Sequence, residues 1–171
     1  MLIYLTGFMG AGKSTAGKKL AGLLGYSFVD LDTMIESETK KSISELFAAG
    51  QDKFREIESH ILRNTESMSN CVIAAGGGTP CFHDNMKWMI NHGLTVYIKL
   101  SPGSLFHRLA PSKTSRPLIA GKSDVELMEY IMETLKDREK FYRQSHVTVK
   151  GEDLDVKLLL EDLKKAEPQL R

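Results

Sequence analysis

Lys13 and Ser14 close the run GFMGAGKS at residues 7–14, which fits the spacing G-x-x-x-x-G-K-S. The apolar stretch LIYLT (2–6) precedes it and the helix-like TAGKKLAGLLG follows. Glycines at those positions let consecutive backbone N–H groups wrap a β-phosphate, while the lysine reaches the β and γ oxygens and the serine hydroxyl ligates Mg²⁺. An ordinary strand-to-helix turn would leave the coincidence of motif and context unexplained. The chemistry implied is binding of a nucleoside triphosphate with magnesium, with Lys13 expected to face solvent.

Two carboxylates and three arginines could act on such a ligand. Asp30 and Asp32 fall two apart in YSFVDLD (26–32), so if that run is a strand both point to one side at its carboxyl end, where open α/β sheets bind ligands. One carboxylate can hold the magnesium shell while the other accepts a proton from an attacking hydroxyl. The alternative is that one of them caps a following helix. Arg138 interrupts an apolar stripe formed by Met128, Ile131, Leu135 and Tyr142. Taken alone, it snorkels to the rim, although a buried anion would also account for it. Arg55, three residues before Glu58, reads alone as half of an exposed helical ion pair. Arg116 lies in APSKTSRPLIAGKSD (110–124), a long stretch without apolar periodicity and a candidate lid. Lid arginines can close over a phosphoryl group in transfer. A second glycine run, IAAGGGTP (73–80), needs another explanation, since the first already reads as the phosphate cradle. Hydrolase, switch and kinase all remain open on these residues: no N-K-x-D guanine motif occurs, and only YSFVDLD approaches the apolar-then-Asp strand of motor ATPases.

The elements that must position these groups alternate. Short runs LIYLT (2–6), YSFVDLD (26–32), CVIAA (71–75), TVYIKL (95–100) and HVTV (146–149) are separated by helix-periodic segments, the pattern of a parallel sheet covered by helices. Ser42 with Glu45, and Ser123 with Glu126, have capping-box spacing. Phe54, Ile57, Ile61 and Leu62 mark an amphipathic helix, Gly50 closes the helix before it, and EDLDVKLLLEDLKKA reads as a docking helix. With 171 residues and 42% hydrophobic content the chain suits one domain with one core. The 23 basic and 22 acidic residues include no basic run able to track nucleic acid or an anionic membrane. Cys71 and Cys81 lack zinc or redox spacing and read as reduced thiols, one in a strand and one in a loop. The N-terminus shows no basic leader or cleavage site, and no apolar stretch approaches the ~20 residues of a membrane span, so a soluble cytoplasmic protein is expected.

Taken in order, GFMGAGKST, DLD, SISELF, FREIE, GGG, RPLI and DREKFY closely resemble the shikimate kinases, small P-loop kinases of the nucleoside-monophosphate-kinase type, over about residues 1–150. The resemblance implies a five-stranded parallel α/β fold, strand order 2-3-1-4-5, spanning 1–171 as one kinase domain with an acceptor-binding segment near 32–62 and a lid near 110–124. It implies transfer of the γ-phosphate of ATP to shikimate, giving shikimate 3-phosphate on the way to chorismate and aromatic amino acids, by a monomer using Mg²⁺. By the same resemblance Gly10, Ala11, Gly12, Lys13, Ser14, Thr15, Arg108 and Arg116 serve ATP, with Arg108 near the adenine. Lys13 and Arg116 would stabilise charge on the phosphoryl group, Asp32 would bind the attacking hydroxyl, and Ser14 and Asp30 would hold the metal, Asp30 through water. Arg55 and Arg138 would clamp the acceptor carboxylate, Phe47 and Phe54 would wall its pocket, and Gly76, Gly77 and Gly78 would lie against it. The chain departs from the family pattern at Lys41 and at Gln51, away from these contacts. A kinase for another polyhydroxy acid such as gluconate, and a nucleotide-binding regulatory module, are the rival readings, the second opposed by Lys13, Ser14, Asp32 and Arg116 being intact.

Overall fold

A computed structural model describes residues 1–115 and 118–170, so the expectation for Arg116 lies outside the described residues. Five strands, β1 (Leu2–Thr6), β2 (Ser27–Asp30), β3 (Cys71–Ala74), β4 (Leu94–Lys99) and β5 (Val147–Lys150), form one parallel sheet in the order β2-β3-β1-β4-β5. The helices are α1 (Lys13–Leu24), α2 (Leu31–Thr39), α3 (Ile43–Ala48), α4 (Gln51–Asn64), α5 (Asn85–His92), α6 (Pro102–Leu109), α7 (Asp124–Tyr142) and α8 (Val156–Ala166).

Side-chain alternation along the central strands divides the core in two. Ile3 and Leu5 of β1 join Val72 of β3 and Val96 and Ile98 of β4 under α1, α6, α7 and α8. Leu2 and Tyr4 join Cys71 and Ile73 under α2, α4 and α5. A period of two along a strand sends neighbours to opposite faces, so both faces of the sheet must be apolar and both must be covered by helices. The edge strands β2 and β5 are only partly buried. No helix among the described residues is long and apolar enough to cross a membrane.

Helix punctuation follows the expected chemistry. Both capping boxes form, with Ser42 and Ser123 accepting from the backbone N–H of Glu45 and Glu126 while those glutamates reach back. Gly50, at φ 134°, leads straight into α4 and so separates two helices as expected. The boundaries shift in one place that matters. YSFVDLD is not a strand throughout: β2 stops at Asp30, and Asp32 lies in the first turn of α2. The stretch 110–124 also begins differently from a plain loop, since Ala110–Ser115 continue from α6 as 3-10 turns.

Candidate active site

The candidate groups among the described residues gather at the carboxyl ends of the strands. The loop after β1 runs through Gly7–Gly12 into α1, whose N-cap Gly12 takes a left-handed conformation (φ 93°) that a side chain rarely adopts. No side chain caps α1 and no acidic residue occupies its first turn. Its first N–H groups and positive dipole end therefore face an anion site. Lys13 is buried, at 9% exposure, rather than solvent-facing, and its Nζ donates to the Gly7 and Phe8 carbonyls at 2.9 Å each. Arg108 from α6 donates to the carbonyls of Gly10 (3.4 Å), Ala11 (3.2 Å) and Gly151 (3.0 Å), tying this loop to the end of β5.

Asp30 and Asp32 reach the cleft by a route different from strand alternation. Asp30 ends β2 and caps α2, its Oδ1 accepting from the Asp32 backbone N–H at 3.1 Å, so capping and a site role coexist in one residue. Its Oδ2 accepts from the Ser14 hydroxyl at 2.6 Å. Asp32 keeps one face open to cleft solvent. Burial by the surrounding protein, with the carboxylates of Asp30 and Glu58 acting in the same direction, pushes its pKa up to about 6. The open face tempers the burial effect, while the like-charge neighbours fix its direction.

Two adjoining cavities meet at Met9, Asp32, Gly76 and Gly77. One, about 400 Å³, is lined by Gly10, Gly12, Lys13, Ser14, Thr15, Asp30 and Arg108 as well as by the shared residues. The other, about 290 Å³, adds Phe47, Phe54, Arg55, Glu58, Gly78 and Arg138. Ala11 lines neither: it is buried and its N–H donates to the Phe8 carbonyl at 3.1 Å.

The second cavity answers what the GGG run does. A Cβ on Gly78 would collide with the Arg55 guanidinium, and one on Gly76 would lie 2.8 Å from Thr79 Oγ1 and 3.1 Å from Glu58 Oε1. Glycine suits Gly76 and Gly78 because the side chains of Thr79, Glu58 and Arg55 pack directly on this backbone. Arg55 is not the exposed ion pair that its spacing suggests. It is 4% exposed, its Nη1 donates to Glu58 Oε2 at 2.6 Å, and its buried Nε has no hydrogen-bond partner among the described residues. A buried donor without a partner costs about 1–3 kcal/mol unless a ligand supplies the acceptor. Arg138 follows Leu135 on α7 but turns into the cleft, its Cζ 5.8 Å from the Phe8 ring, and forms no ion pair among the described residues. Phe47 stacks on Phe54 with ring centroids 4.3 Å apart.

Reading the sequence missed three supports. Glu58, 1% exposed, accepts from both Arg55 and the Thr79 hydroxyl (2.6 Å), yet its i+3 spacing from Arg55 signalled only a surface pair. Tyr142 continues the Arg138 stripe and donates its hydroxyl to the Gly77 carbonyl at 2.5 Å. Thr79, directly after the glycines, had no local signal at all. Burial pushes the thiol of nearby Cys81 up to about 11, despite the opposing pull of Arg138 and Arg55.

Hard oxygen donors stand side by side at Ser14 and Asp30, and the described residues hold no group of three or more His, Cys, Asp or Glu side chains able to cage a metal. That donor set suits Mg²⁺, which takes one or two protein oxygens and completes its shell with phosphate and water.

Comparison with known proteins finds shikimate kinases. The family model for shikimate kinase matches residues 9–166. A shikimate kinase of Phocaeicola vulgatus is 44% identical over 156 residues, covering 91% of this chain and 89% of the relative. The crystal structure of shikimate kinase from Bacteroides thetaiotaomicron superposes with a TM-score of 0.89 at 40% identity, over 96% of this chain and 97% of that one. A shikimate kinase from Acinetobacter baumannii, solved in complex with shikimate, gives 0.87 at 30% identity, over 99% and 95% of the two chains.

Proposed function

The chain belongs to the shikimate kinase family, ATP-dependent enzymes that phosphorylate shikimate, and from that premise we propose a division of labour between its two cavities. The larger takes the triphosphate of ATP and the smaller takes shikimate, so that a ring hydroxyl meets the γ-phosphorus where the cavities join, at Asp32. Asp32 accepts the hydroxyl proton as the new O–P bond forms and ADP leaves. A pKa near 6 leaves it ionised at neutral pH yet basic enough for that role. Lys13 moves from the Gly7 and Phe8 carbonyls to the β and γ oxygens, Arg108 borders the adenosine end, and Arg116 closes over the transferring group from the lid. Ser14 directly, and Asp30 through water, would hold Mg²⁺, which when bound neutralises charge on the β and γ phosphate oxygens.

The observation that carries this reading is the unpartnered, buried Nε of Arg55 beside a cavity that Arg138 also lines. Two guanidiniums, with Glu58 engaging only one nitrogen, keep an excess of donors for a carboxylate. Arg55→Ala and Arg138→Ala are each expected to raise the KM for shikimate by ~1.5–3 kcal/mol in binding terms, with little change in that for ATP. Lysine at either position also loses affinity, because it cannot grip a carboxylate in two places. The methyl ester of shikimate is expected to be a poor substrate for the wild type and to lose much less in the alanine variants. Equal turnover of ester and acid, or normal shikimate dependence in both alanine variants, would overturn the clamp and bring gluconate-type acids forward as substrates.

A further inference from the structure

Arg55 is held by more than its partners in the cleft. Its Cζ lies 5.4 Å from the ring centroid of Phe47, 5.0 Å from Phe54 and 4.4 Å from Phe82. Phe47 and Phe54 line the acceptor cavity, but Phe82, the nearest ring, lines neither cavity. The backbone around it is unusual. Phe82 leaves the 3-10 turn Thr79–Cys81 extended, at φ −128° and ψ 152°. It is followed by two consecutive non-glycine residues in the left-handed region, His83 (φ 48°) and Asp84 (φ 56°). Such a pair is strained, and persists only where its surroundings over-determine it. Here Arg63 donates to the His83 carbonyl and to Asn85 Oδ1, both at 2.9 Å, and buried Asn85 donates to the Thr79 carbonyl at 2.9 Å. A polar network anchored on buried Asn85 thus sets the direction in which Phe82 leaves the turn.

We propose that Phe82 is a positioning residue for the acceptor clamp: its ring holds the Arg55 guanidinium, whose Nη1 is already fixed by Glu58, so that the remaining donors stay aimed at the acid. The electron-rich ring face attracts the cation, and in a desolvated setting this attraction is stronger than at a surface. With the ring gone, the guanidinium is free to turn about its bond to Glu58, and the carboxylate must then order it on binding. The inference rests on the reading of Arg55 as the carboxylate grip.

The test is steady-state kinetics of Phe82→Leu, Phe82→Tyr, Arg55→Ala and the double variant Phe82→Leu/Arg55→Ala. Phe82→Leu is expected to raise the shikimate KM roughly 3- to 30-fold. Its kcat and its KM for ATP should stay within about twofold of wild type, a split that a general loss of packing would not give. Phe82→Tyr, which keeps the ring, should stay near wild type. In the Arg55→Ala background Phe82→Leu should add nothing, since its effect passes through the guanidinium. If Phe82→Leu fails to fold, Phe82→Met provides the same comparison. A normal shikimate KM in Phe82→Leu beside a raised one in Arg55→Ala overturns this inference alone, as does a tyrosine variant as weak as the leucine one. A normal shikimate KM in Arg55→Ala overturns the carboxylate grip and this inference with it.

Discussion

At the scale of single residues, Asp32 carries a conflict between stability and chemistry. Its carboxyl is pushed up to about 6 by burial and by Asp30 and Glu58, so the folded protein holds a proton that the unfolded chain, near 4, has already released. Between those values the native state binds more protons, and stability therefore falls as pH rises through that window. The raised carboxyl of Asp32 thus lowers stability at neutral pH. Asp32→Asn is accordingly expected to melt higher than wild type at pH 7.5, by on the order of 1 kcal/mol once solvent on the open face is discounted, while losing turnover. The difference should vanish below about pH 4, where both side chains are neutral. In the wild type, kcat/KM for shikimate should rise with pH through a limb near 6. Asp30→Asn should instead raise the magnesium concentration needed for activity. Melting curves and pH–rate profiles check both, and a lower melting temperature for Asp32→Asn at pH 7.5 would count against the strained carboxylate.

At the scale of elements, α7 shows how one helix couples core to cleft. Leu127, Ile131 and Leu135 are buried in the core that α7 shares with α6, Arg138 turns into the cleft, and Tyr142 is buried again against Tyr97 of β4, with ring centroids 5.1 Å apart. The two tyrosines differ in their hydroxyls. Tyr142 donates to the Gly77 carbonyl, whereas the buried Tyr97 hydroxyl has no partner among the described residues. Tyr142→Phe is expected to cost about 1–2 kcal/mol and to raise the shikimate KM, because it releases the glycine loop. Tyr97→Phe removes an unsatisfied buried group and is expected to be neutral or stabilising. Chemical denaturation of the pair of variants gives the two signs, and equal losses in both would show that the hydroxyl contact with Gly77 contributes nothing.

For the whole molecule, the five strand ends act together: the glycine loop follows β1, Asp30 ends β2, the GGG run follows β3, α6 with Arg108 follows β4, and Gly151, which accepts from Arg108, follows β5. A lid over this rim should close only on the full set of ligands. Hydrogen exchange across residues 110–124 is expected to slow with ATP and shikimate together and far less with either alone, and Arg116→Ala should lower kcat more than shikimate affinity. Equal exchange in all states would count against a mobile lid. What could be read in the residues alone were features with a local cause: the alternation of strands and helices, both capping boxes, the phosphate-binding loop and, through the ordered set of motifs, the family. Strand order also followed, but by analogy with that family. The environment of each charge could not be read this way. Whether Lys13 faces solvent, whether Arg55 is an exposed pair or a buried guanidinium among three rings, and whether Asp32 continues a strand or opens a helix all depend on what packs beside them from distant segments. The GGG run is the clearest case: Thr79 and Glu58 press on Gly76, the Met9 backbone on Gly77 and Arg55 on Gly78, and only folding brings α4 to that loop. Burial and like-charge proximity, which set pKa values and leave donors unpartnered, are properties of assembled surfaces, and so the identity of the groups was legible in the chain while their chemical state was decided by the tertiary structure.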